Sequence, residues 1–181
     1  CIPVDPYYLS WKAREFDFYT KFIELAAEVN ADMPDHVVRK VVAGLNLDGK
    51  PVRGSRVLIL GVAFKRDIDD ARNSPAQRVI ELLLDAGAQI EYHDPFVPTF
   101  RTGGNALHRR PTTLRSVPLD QGLADADAVV ILTGHTAVDY ARVVDRMRVV
   151  VDAVNVTSHL SDASDRVIRL GAPMPASLAG D

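Results

Sequence analysis

Apolar residues change their spacing near residue 54. Before it they recur every three or four positions, first as Phe18, Phe22, Leu25 and Val29, then as Val37, Val38, Val41, Val42 and Leu45. That is the period of a helix with one apolar stripe, and it predicts helix over residues 15–46. Pro34 interrupts this stretch and fits the first position of a second helical run. Upstream, Pro3 and Pro6 argue against a single helix through residues 1–14. The stripe is long for a helix that covers only a small domain. It faces either another subunit or its own domain.

Residues 46–54 (Asn-Leu-Asp-Gly-Lys-Pro-Val-Arg-Gly) form a turn-rich boundary. Beyond it an α/β rhythm begins. Arg56-Val57-Leu58-Ile59-Leu60-Gly61 is the nearly continuous apolar run expected of a strand buried on both faces. Helix is predicted over residues 74–86, with Ser74 as N-cap, Pro75 in the first turn and Gly87 as the stop. Further strands are predicted at residues 89–93, 128–132 and 148–151, and an edge strand at 165–170. Helices are predicted at 119–125 and 137–147. Residues 98–116 read as a polar loop with one short strand near Leu114. The alternation implies a Rossmann-like parallel sheet with flanking helices and right-handed crossovers. Its ligands bind at the carboxyl ends of the strands. Gly61, Asp94, residues 133–135 and residues 152–155 should emerge on that edge. The tail at 171–181 is small and Pro-rich, and is expected to be disordered.

The composition is that of a globular protein: 181 residues, 47% hydrophobic and 25% charged, with a net charge of -3. Mild acidity argues against a nucleic-acid binder, which would carry a basic stripe. No apolar run approaches the roughly 20 residues of a membrane span. One cysteine excludes an internal disulfide framework and points to a reducing, cytoplasmic setting. No His or Cys pair has metal-ligand spacing, so no metal is expected.

Candidate chemistry lies at three places. Gly61-Val62-Ala63-Phe64-Lys65-Arg66-Asp67 follows a strong strand but lacks the G-x-G-x-x-G spacing of a dinucleotide fingerprint. It offers a cation pair, Lys65 and Arg66, and Arg72 stands just before a helix start, where anions gather. The loop either binds a phosphate or is a solvated charged turn. Asp94 ends a strand where a Rossmann domain places its ribose acid, or it simply starts the Asp94-Pro95 turn. Cys1, the lone thiol, has Asp5 four residues on. A free cysteine is ordinarily an inert buried hydrophobe. A positioned thiol is instead a nucleophile, and a carboxylate beside it can hold a hydrolytic water.

The run Cys1-Ile2-Pro3-Val4-Asp5-Pro6, with Tyr7-Tyr8-Leu9-Ser10-Trp11-Lys12, resembles the active-site segment of the UDP-glucose/GDP-mannose dehydrogenase family, and most closely its bacterial UDP-N-acetylglucosamine 6-dehydrogenase branch. The resemblance resumes at Met33-Pro34. It is strong through Gly61-Val62-Ala63-Phe64-Lys65-Arg66-Asp67 and Ala71-Arg72-Asn73-Ser74-Pro75, and continues at Tyr92-His93-Asp94-Pro95 and Val151-Asp152-Ala153-Val154-Asn155.

The resemblance implies a C-terminal portion of an NAD-dependent nucleotide-sugar 6-dehydrogenase, with the first residue a cut inside a longer protein. Residues 1–52 would hold the active-site segment and a central dimerisation helix around Phe18, Phe22, Leu25 and Val29. Residues 53–170 would form the UDP-sugar-binding domain. Cys1 would capture the aldehyde and Asp5 would help activate water. Phe64 and Lys65 would contact the UDP-sugar. Arg72 would reach NAD, whose main site would lie in an N-terminal domain these residues do not include. Val154 departs from relatives that carry Arg there. The alternative is a non-catalytic nucleotide-binding or interaction module.

Overall fold

The structure is a computed structural model that describes residues 5–104, 110–160, 167–173 and 175. Two compact units share the chain, Cys1–Pro34 and Asp35–Asp181.

In the first unit, helix α1 spans Asp5–Arg14 and helix α2 begins at Lys21. Pro6 is the second residue of α1, where its missing N–H costs no helical bond. The prolines therefore leave room for a helix at 5–14 that the sequence reading did not draw. Residues 15–20 are not helical as expected. The chain turns there through Asp17, whose φ is 54°. Ser10 is buried, and its hydroxyl donates to Glu24 Oε1 (2.7 Å), which also accepts from Arg14 Nη2 (2.8 Å). The hydrogen bonds from Ser10 and then Arg14 hold the Glu24 carboxyl below its usual range.

Helix α2 runs unbroken over Lys21–Leu47. Pro34 does not start a second helix. It lies inside this one and removes only the bond its N–H would have made to the Asn30 carbonyl. From residue 35 the helix belongs to the second unit, where Val37, Val41 and Leu45 enter the core.

The second unit is built on strands β1 (Arg56–Leu60), β2 (Gln89–His93), β5 (Ala128–Ile131), β6 (Val150–Asp152) and β7 (Val167–Arg169), all parallel, in the order β2-β1-β5-β6-β7. Helices α3 (Ala76–Asp85), α4 (Leu119–Asp125) and α5 (Tyr140–Arg146) connect them. Residues alternate across β1: Val57 and Ile59 join the core containing α3 and the end of α2, while Leu58 and Leu60 join the core containing α5. Both faces are thus covered, which explains the unbroken apolar run. Each such buried Leu or Ile contributes about 1.5–3 kcal/mol.

The ends of α3 match the sequence signals. Ser74 Oγ accepts from the Ala76 N–H (3.2 Å), and Gly87, at φ 89°, closes the far end as the Ala88 N–H bonds back to the Leu83 carbonyl (3.0 Å). Helix α5 is shorter than residues 137–147, because Asp139 caps it by accepting from the Arg142 N–H (3.1 Å).

The expected loop at 98–116 instead contains an antiparallel pair, β3 (Thr99–Thr102) and β4 (Thr112–Arg115), with Phe100 opposite Leu114. Along β3 the burial alternates, which is the two-residue period of a half-buried strand. Four residues between Pro98 and Gly103 are too few to announce it. Most of the Pro-rich tail, residues 174 and 176–181, lies outside the described residues.

Candidate functional site

The chain leaves β1 to build β2 on one side and later returns to place β5 on the other. The carboxyl ends of β1 and β5 therefore form the topological switch point, where such sheets bind ligands. Gly61 makes the exit from β1 at φ 81°, and a Cβ there would lie 2.5 Å from both the Cβ and the carbonyl oxygen of Thr133 beyond β5. Only glycine allows this approach.

Phe64, Lys65 and Arg72 all lie on the loop that follows. The Phe64 N–H donates to the Asp70 carbonyl (2.8 Å) and closes its base. Phe64 is half-buried and Lys65 exposed. Arg72 forks onto Asp70, with Nε and Nη2 at 2.9 and 2.7 Å from the two carboxylate oxygens. The side-chain bonds from Arg72, with its backbone N–H, bring the Asp70 pKa down to about 2. Nothing in this loop supplies the three-glycine cradle of a pyrophosphate, so NAD would find here one fixed, exposed guanidinium. Asp5 lies exposed at the start of α1 in the other unit, and Cys1 lies outside the described residues.

Behind this loop lies a polar centre that sequence reasoning missed. The Asp94 carboxylate is fully buried and accepts five hydrogen bonds. Oδ2 takes the N–H groups of Val62 (2.8 Å) and Ala63 (3.1 Å) and Nε2 of His135 (3.1 Å), and Oδ1 takes the N–H groups of Phe96 (2.9 Å) and Val97 (3.0 Å). Burial pushes the Asp94 carboxyl up, but the backbone donors outweigh it and its pKa falls below the usual value. With every lone-pair direction in use, Asp94 is neither a ribose ligand nor a mere turn former.

His135 is fully buried, and its Nδ1 accepts from the Asp67 N–H (2.9 Å). Nδ1 therefore carries no proton, and Nε2 is the donor to Asp94. The Phe96 ring packs on this imidazole with centroids 5.1 Å apart. Thr133 Oγ1 donates to the Ala63 carbonyl (2.6 Å), and the Thr136 N–H donates to Asp67 Oδ1 (2.9 Å). Tyr92 donates its hydroxyl to the Val97 carbonyl (3.0 Å); burial, then the Asp94 charge, push its phenol up to about 12.

Further along the edge, buried Asp152 accepts from the N–H of Val154 (3.1 Å) and from the N–H and hydroxyl of Thr157 (2.8 and 2.7 Å). Val154 stays exposed. A separate depression of about 410 Å³ lies at the opposite, amino edge. There Arg56 and Asp125 pair at 3.1 Å.

Residues 58–159, which include this whole edge, match the UDP-glucose/GDP-mannose dehydrogenase family, UDP binding domain. The chain is 28% identical over 167 residues to a UDP-N-acetyl-D-mannosamine dehydrogenase of Methanococcus maripaludis, covering 88% of this chain and 35% of that protein. It is 32% identical over 163 residues to a UDP-glucose 6-dehydrogenase of Rhizobium meliloti, covering 86% and 35%. The solved UDP-D-ManNAc dehydrogenase of Pyrococcus horikoshii superposes with a TM-score of 0.68 at 27% identity, over 86% of this chain and 34% of that one. The chain thus spans about a third of the length of these relatives. A match over more than half its residues, in the order the motifs require, means that the chain belongs to the UDP-glucose/GDP-mannose dehydrogenase family.

Proposed function

We propose that this chain is the UDP-sugar-binding and dimer-forming part of an NAD-dependent nucleotide-sugar 6-dehydrogenase. The substrate class is a UDP-N-acetylhexosamine or UDP-glucose, and the product is the C6 carboxylate. The observation that carries the reading is the loop bearing Phe64 and Lys65, which leaves β1 at the switch point inside the segment matched to a UDP-binding family. Lys65 is exposed and has no hydrogen-bonding or ionic partner among the described residues, so its ammonium is available to a diphosphate. Phe64 offers an apolar edge beside it.

Each NAD, when bound, accepts one of the two hydrides that leave C6, so one turnover uses two. Arg72 reaches it from this unit, held in place by Asp70. The Cys1 thiol adds to the C6 aldehyde, with the thiol proton passing to the new oxygen, to give a thiohemiacetal. Loss of the second hydride and of the hydroxyl proton leaves a thioester. Water, activated beside Asp5, then cleaves the C–S bond and frees the thiol and the carboxylate. The exposed aromatic residues of the first unit, among them Phe18 and Phe22, face a second copy in a homodimer. Cys1 has to stay a reduced thiol to act, which supports a cytoplasmic setting.

The test is Cys1→Ala in the intact protein, with turnover and UDP-sugar affinity measured together. Turnover should vanish while affinity stays within about twofold of the parent. Equal loss of both would remove the nucleophile role. Binding without turnover in the parent would leave a nucleotide-binding module.

A further inference from the structure

We propose that buried Asp94 and His135, each through its own bonds to the backbone, position the nucleotide loop and set where Phe64 and Lys65 stand; this rests on the UDP-binding reading of that loop. Neither residue can touch a ligand, since both side chains are wholly buried. Their effect has to pass through the backbone.

One carboxylate reaches the loop by two routes. Directly, Asp94 Oδ2 holds the N–H groups of Val62 and Ala63, the two residues before Phe64. Indirectly, it fixes the proton of His135 on Nε2, which leaves Nδ1 to accept the Asp67 N–H two residues past Lys65. Lys65 is thus bracketed by two anchors that share one origin. Asp67 needs such an anchor. It sits at φ 60°, a left-handed conformation that is strained for a non-glycine residue and persists where the surroundings enforce it. Its side chain is held from the same place, by the Thr136 N–H. The loop uses its backbone for these bonds and leaves the Lys65 ammonium without a partner among the described residues. A contact built this way loses affinity when its base shifts by a fraction of an ångström.

The two ring nitrogens do different jobs, so two variants separate positioning from stability. His135→Asn keeps an acceptor near Nδ1 for Asp67 and gives up the bond to Asp94. His135→Gln reaches Asp94 and gives up Asp67. Both should lower the melting temperature of the intact protein. In calorimetric titration with UDP, the Gln variant should bind about tenfold more weakly, the size of one lost hydrogen bond, while Asn stays within about twofold. Equal losses in both, no loss in either, or the larger loss in Asn would overturn the proposal.

Lys65→Ala is titrated alongside. If it weakens UDP and His135→Gln does not, only the positioning role fails. If the parent binds no UDP, the nucleotide reading fails with it. Should the Gln variant not fold, amide exchange at Asp67 in the parent decides: UDP should slow it, and an unchanged rate overturns the role.

Discussion

Nε2 of His135 lies 3.1 Å from Oδ2 of Asp94, although 41 residues of chain separate them and neither side chain touches solvent. The contact joins the turn after β2 to the turn after β5 across the end of β1. It ties together three strand exits that the sheet alone leaves independent. Asp94→Asn tests how much of the edge depends on it. An amide has one acceptor oxygen where the carboxylate has two. Whichever way it turns, its NH2 meets at least two of the five donors, at about 1–3 kcal/mol for each one left unsatisfied. A loss of about 3 kcal/mol in chemical denaturation is expected.

The same carboxylate gives a pH signature. Its folded-state pKa lies below the unfolded value of about 3.9, because backbone donors outweigh the burial that pushes the other way. Its contribution to stability is therefore complete above about pH 5 and is lost as pH falls through the depressed folded value. Denaturation midpoints measured from pH 6 down to pH 3 should fall in the parent and fall less steeply in Asp94→Asn. Parallel curves would mean the carboxyl is not held ionised by the fold.

The pair also marks the boundary of what was legible beforehand. Asp94 and His135 each read correctly as strand-exit residues, because strand ends follow from apolar runs and turn formers. Their meeting requires the order β2-β1-β5, and nothing in the spacing of two residues 41 apart encodes which strands are neighbours. The parallel sheet, α3 and its two caps were readable for the opposite reason, since each rests on local periodicity and a named end signal. Residues 15–20 misled because Phe18 and Phe22 continue the helical period of α2 through a turn; the break at Asp17 is a matter of backbone φ, which carries no hydrophobic signature. Hairpin β3–β4 hid because its strands are four residues each.

Lys65→Ala should weaken UDP binding by about 1–3 kcal/mol, as for a lost charge-assisted hydrogen bond. The melting temperature should not move, since the side chain is exposed and has no partner among the described residues. Unchanged affinity would make Lys65 a solvated side chain.

Arg72→Ala separates the two faces of that guanidinium. Its bonds to Asp70 are the main cause of a carboxyl pKa of about 2. Carbon-detected NMR titration of Asp70 should show a return toward about 3.9 in the variant. NAD affinity of the intact protein should fall in the same variant, and UDP affinity should not. A fall in UDP affinity instead would move Arg72 from the cofactor to the nucleotide sugar.

Gly61→Ala asks whether the switch point tolerates one extra carbon. Two penalties add at this site. An L side chain at φ 81° costs about 1–2 kcal/mol, and the new Cβ would stand 2.5 Å from Thr133 Cβ and carbonyl oxygen, an overlap that overpacked cores pay for with about 1–3 kcal/mol. Backbone is the obstacle, so the strain cannot be relieved by turning a flexible side chain. The exits of β1 and β5 must separate, and Val62, Ala63 and the loop beyond must move with them. Denaturation should report about 3 kcal/mol lost, and UDP affinity should fall although no ligand contact was touched. Lost stability with undiminished affinity would mean the loop finds its place without the strand exits, and would weaken the account of how the edge is organised.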